Sequence, residues 1–105
     1  MAVVSVHNNS PQGLLALWLE PPGEDRWLRP GETFCVRSDY EGTEPDFMVE
    51  PFVLEDDRSV GTENVTVWIL ESNCWGVVVV DLKGNVIECG HGRPVRVDER
   101  WRPDL

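Results

Sequence analysis

Apolar residues along this chain come in short runs, broken by Gly, Pro, Asn and Asp, and none of the runs keeps a convincing helical period. The densest stretch is residues 65–91, VTVWILESNCWGVVVVDLKGNVIECGH. Three runs, 65–70, 75–81 and 86–89, are separated by Ser72-Asn73 and Lys83-Gly84, both of which carry turn chemistry. This pattern predicts a three-strand β-meander at the centre of the fold. Short loops would pair Leu70 with Trp75, Trp68 with Val77, Val67 with Val78 and Val80 with Ile87. One face would then carry Val65, Val67, Ile69, Val78, Val80, Ile87 and Cys89, and being wholly apolar it is assigned to the core. The other face would carry Thr66, Trp68, Leu70, Trp75, Val77, Val79 and Val86, with Asp81 and Glu88 near its margin; it is apolar as well, so either another part of the chain or a partner covers it. A loop longer by one residue would turn a whole strand over.

Around this stretch the pattern predicts further short strands. Residues 3–6, VVSV, read as a first strand, and residues 14–20, LLALWLE, are stopped at once by Pro21-Pro22. They read as a strand with Leu15, Leu17 and Leu19 on one face, because the run is too short for an independently stable helix. Residues 26–28 and 32–38 flank Pro30-Gly31, a type II turn signal. Residues 47–54 are interrupted by Pro51, which marks an edge or bulged strand. Residues 39–46, DYEGTEPD, read as an exposed acidic loop, and 55–58 as a charged turn. Val95 and Val97 suggest one last short strand, and the tail from residue 98 to 105 reads as loose.

The whole is one domain over residues 1–105. About eight short strands, with turn signals about every 8–12 residues, predict an all-β fold. A single antiparallel β-sandwich is preferred, with a small β-barrel as the alternative. Residues 3–38 contain V-x-V-x-N-N-S, then L-x-L-x-x-E-P, then L-x-P-G-E-x-F-x-V. This segment resembles β-sandwich modules and short bacterial all-β proteins; the resemblance implies a fold and brings no catalytic residue with it.

The formal charge of −10 argues against binding nucleic acid, which needs phosphate neutralisation, and against anionic membrane surfaces. It suits solubility or a basic partner. The acids are unevenly spread: residues 20–57 hold twelve, against Arg26, Arg29 and Arg37. Cys35, Cys74 and Cys89 are odd in number and form no C-x-x-C pair. With no signal-peptide pattern and no run of transmembrane length, the expectation is reduced thiols in a cytoplasmic protein.

Chemical signatures are sparse. Cys89 and His91 are two apart and would share a strand face, which makes them a candidate chelating pair, but a zinc site needs three or four ligands. There is no nucleophile elbow and no phosphate-binding glycine loop. No catalytic residue, metal ligand set or cofactor is therefore assigned. The five tryptophans point elsewhere, since they bury large areas in cores and interfaces alike. The reading is a small acidic, non-catalytic protein-interaction or structural module. Trp68, Leu70, Trp75 and Val77 would form its partner or homodimer face. The alternatives are a metal-binding protein using Cys89 and His91, and an acidic inhibitor or immunity-type protein acting on a basic partner.

Overall fold

The computed structural model describes residues 1–53 and 61–95. The expectations for residues 55–58, for Val97 and for the tail 98–105 fall outside them. Among the described residues two sheets pack face to face. β1 (Ala2–His7), β4 (Thr33–Ser38) and β7 (Val78–Asp81) form an antiparallel sheet in the order β1-β4-β7. β2 (Leu15–Glu20), β3 (Glu24–Leu28), β5 (Phe47–Phe52) and β6 (Glu63–Ile69) form the second, in the order β3-β2-β6-β5. The expected all-β sandwich is observed, with one departure from a purely antiparallel arrangement: β2 and β6 run parallel, with Leu17 opposite Val65 and Leu19 opposite Val67.

The core lies between the sheets. Leu17, Leu19 and Leu28 from the larger sheet meet Val6, Phe34, Val36 and Val79 from the smaller one, together with Val65 and Val67. Period-2 alternation places these side chains on the inner faces. Each fully buried aliphatic side chain contributes about 1.5–3 kcal/mol relative to exposure.

The meander over 65–91 is not formed. β6 belongs to the larger sheet and β7 to the smaller, so Val67 does not pair with Val78. The reason is that β6 has both edges occupied, by β2 and by β5, and has no ladder left to offer. The chain between them does not turn back as a hairpin. It crosses between the sheets through a 3-10 turn at Cys74–Gly76, where Asn73 Oδ1 accepts the Trp75 N–H at 2.9 Å. The longer connection also reverses the facing of β7. Val79, opposite Val36, belongs to the core, whereas Val78 and Val80 lie opposite Arg37 and Cys35 on the other face. Val86 bridges Val80, one residue away from the expected partner Ile87.

Residues 86–93 strap the two sheets together along one side. The Ile87 N–H donates to Val79 O at 2.8 Å in the smaller sheet. From the larger sheet, Arg26 Nε donates to Ile87 O at 2.6 Å. Further along, the Gly90 N–H donates to Asp25 O at 2.6 Å and the Trp27 N–H to His91 O at 2.8 Å. The strap thus satisfies the free edge of β3, and a side chain bonds to it as well: Arg93 binds the buried Asp25 carboxylate. On the opposite side, among the described residues, β1 pairs only with β4 and β5 only with β6.

Candidate binding surface

At one end of the sandwich the 39–46 loop packs against the 70–77 loop. Asp46 is the tie between them. Its Oδ1 accepts the N–H groups of Glu71 at 3.0 Å and Ser72 at 2.7 Å, and its Oδ2 accepts the Ser38 hydroxyl at 2.5 Å. Its backbone carbonyl takes the Leu70 N–H at 2.8 Å. Burial by itself raises the Asp46 pKa, but these hydrogen bonds to the ionised form outweigh it and hold the carboxyl below its ordinary value. The expectation of an exposed acidic loop is therefore corrected at this residue, which is buried. No local sequence signal separates Asp46 from its exposed neighbours, because its partners lie far along the chain.

A second contact fixes the 3-10 turn. A Cβ at Gly76 would stand 2.9 Å from Asp39 Oδ1, so the two loops touch with no room for a side chain there. The turn holds Trp75 outward, 93% exposed. Leu70 on the same loop is exposed as well, and so are Asp39, Glu41, Glu44 and Glu71. No Lys or Arg occurs between residues 38 and 53 or between 61 and 82.

The four residues expected to share a sheet face are thus distributed differently. Trp68 lies on the outer face of the larger sheet, opposite Met48 and Glu20, with its Nε1 donating to Glu50 Oε1 at 3.4 Å. Val77 turns inward and packs against the core. Leu70 and Trp75 share the exposed end loop. A hairpin would put them on a common strand ladder, and the 3-10 turn takes its place.

The Cys89 and His91 side chains part company. Cys89 Sγ lies 3.8 Å from Asp25 Oδ1, while the His91 ring packs edge-on against Phe34 with centroids 5.8 Å apart. Among the described residues no group of three or more His, Cys, Asp or Glu is placed to hold a metal ion. All three cysteines are free. No helix among the described residues is long and apolar enough to cross a membrane.

A groove opens beside this loop end, between the edges of β1 and β5 that no strand pairs with among the described residues. It encloses about 430 Å³, and Val3, Val4, Phe47 and Val49 line it with Glu41 and Glu44 at its rim. No protein-family model, curated protein or solved structure matches this chain.

Proposed function

We propose that the chain is a small, non-catalytic interaction module of the reducing cytoplasm that docks onto a basic protein partner through the end carrying Trp75. One observation carries this reading: Trp75 is held outward by a capped turn, on loops that carry exposed acids and no Lys or Arg side chain. A large exposed aromatic on a fixed backbone costs little entropy to bury, and tryptophan is over-represented among the residues that dominate interface energies. The surrounding carboxylates would steer a basic surface toward it and repel acidic ones. Self-association through this end is disfavoured, because it would bring Asp39, Glu41, Glu44 and Glu71 of two copies together. Free thiols at Cys35, Cys74 and Cys89 support a reducing compartment.

The test is selection from a random peptide phage library at about 0.15 M salt, where weak long-range attraction is screened. Enrichment of Lys/Arg-bearing sequences is expected, with binding lost to Trp75→Ala and to the triple reversal Glu41→Lys, Glu44→Lys, Glu71→Lys. No enrichment, or enriched peptides indifferent to both variants, overturns the reading.

A further inference from the structure

The two edges on the open side of the sandwich are not equivalent, and the ladder pattern shows why. In an antiparallel pair, residues alternate between bonding to the neighbouring strand and pointing their N–H and C=O away. The Asn8 N–H donates to Glu32 O, in continuation of the β1–β4 register, so the even positions of β1 bond to β4. Val3 and Ser5 therefore direct their backbone groups outward. In the same way the Leu70 N–H donates to Asp46 O, in continuation of the β5–β6 register, so the even positions of β5 bond inward. The outward position Pro51 has no N–H to offer. β5 is thus a blunted edge, as proline commonly makes it, whereas β1 presents intact donors and acceptors.

We propose that the outer edge of β1 accepts an extended basic segment of a partner protein as an added strand, lying in the groove between β1 and β5. The proposal rests on the reading that the partner is basic, and it adds the mode of recognition. Backbone bonds to Val3 and Ser5 supply the pairing, as in other cases of strand addition. Side chains alternate along the added strand. One set would meet the apolar floor at Val4 and Phe47, both packed against the core, and the other would face solvent and the rim. Charge complementarity identifies the second set. The cavity lining contains Glu41 and Glu44 and no Lys, Arg or His, so the occupant alternates apolar residues with Lys or Arg. Glu41 already meets an ammonium group, the Met1 amine at 3.1 Å, in a surface pair that a lysine displaces at little cost. A second copy of this chain fits less well, since its own edge would bring Glu41 and Glu44 against their counterparts.

The probe is the hexapeptide acetyl-(Val-Lys)3-amide, observed by amide NMR and titrated by fluorescence anisotropy with a labelled form. Binding should shift the Val3 and Ser5 amides. It should weaken about tenfold or more when alternate peptide nitrogens are methylated, because the lost strand bonds are the ones that pair the edges. The protein variant Val3→Pro removes an outward N–H and leaves the β4 ladder whole, so it should stay folded and lose the peptide. The (Val-Glu)3 analogue should not bind. Equal binding of the methylated peptide, or of the native one to a folded Val3→Pro variant, overturns strand addition, and so does no binding at all. In each of those cases the loop-end reading still stands if Trp75→Ala weakens the library-selected peptides. A concentration-dependent dimer that Val3→Pro abolishes would assign the edge to a second copy and overturn the proposal.

Discussion

Asp25 and Arg93, 68 residues apart in sequence, meet through two hydrogen bonds: Arg93 Nε to Asp25 Oδ2 at 2.8 Å and Nη2 to Oδ1 at 2.5 Å. Trp27 Nε1 adds a third at 2.7 Å to Oδ2. The carboxylate is 1% exposed, so its charge depends on these donors. Removing Arg93 would leave the buried anion with the Trp27 N–H and the more distant Cys89 thiol and, among the described residues, no counter-charge. Arg93→Met should cost about 2–3 kcal/mol, less than for a fully buried pair because the guanidinium is partly exposed. Urea unfolding measures it. Arg93→Lys keeps the charge, loses the two-pronged geometry and should fall between the two.

The same groups set the response to acid. Burial raises the Asp25 pKa, but the Arg93 and Trp27 hydrogen bonds and the Arg93 charge outweigh it, and the net shift is downward. Asp46 is lowered by its own donors. A carboxyl whose folded pKa lies below its unfolded value contributes stability above the unfolded value and loses it as pH falls through the folded one. Stability should therefore decline from about pH 5 downward. Asp25→Asn and Asp46→Asn should each lower stability at neutral pH and flatten that decline. Chemical denaturation from pH 2 to 7 reads both; a decline equally steep in both variants would assign the acid sensitivity to other groups.

The strap also depends on one close approach. Gly92 has φ +72°, and a Cβ there would stand 2.9 Å from Trp27 O. Gly23 has almost the same φ, +73°, with nothing within 4 Å of its Cβ position. Alanine at Gly23 should cost about 1 kcal/mol for the left-handed backbone alone. Alanine at Gly92 should cost that plus the displacement of the strap from β3, about 2–3 kcal/mol in all. The difference between the two melting temperatures isolates the steric part.

Much of the fold was legible because alternation and turn chemistry are local. Leu15, Leu17 and Leu19 face the core as their spacing predicts, Pro30-Gly31 turns with Gly31 at φ +84°, and Pro51 sits in an edge strand. What failed was the assignment of β6 and β7 to one ladder. A hairpin and a crossover between sheets can carry the same turn residues, and only the competition for the edges of β6 decides between them. The parallel β2–β6 pair is likewise invisible locally, since its partners are 48 residues apart from Leu17 to Val65. The loop end is half legible. The apolar pattern marks Trp75 as part of a candidate partner face, but on a sheet face shared with Trp68, and it does not tell whether the chain itself covers that face. Asp46, which holds the end together, reads in sequence like any loop acid.

Trp75 itself separates folding from binding. With its side chain 93% exposed and its backbone held by Asn73, Trp75→Ala should change stability by no more than about 0.5 kcal/mol. Its indole is in water, whereas Trp27 is 1% exposed. Acrylamide should therefore quench a fraction of the tryptophan emission that Trp75→Phe removes, and leave the Trp27 contribution largely intact. Binding of a basic partner should protect that same fraction and shift its emission to shorter wavelength. The truncation should weaken the complex by about 2 kcal/mol or more, roughly thirtyfold, if the indole is the anchor of the interface. A complex that forms with Trp75 still fully quenchable would place the contact elsewhere, however acidic the end of the sandwich is.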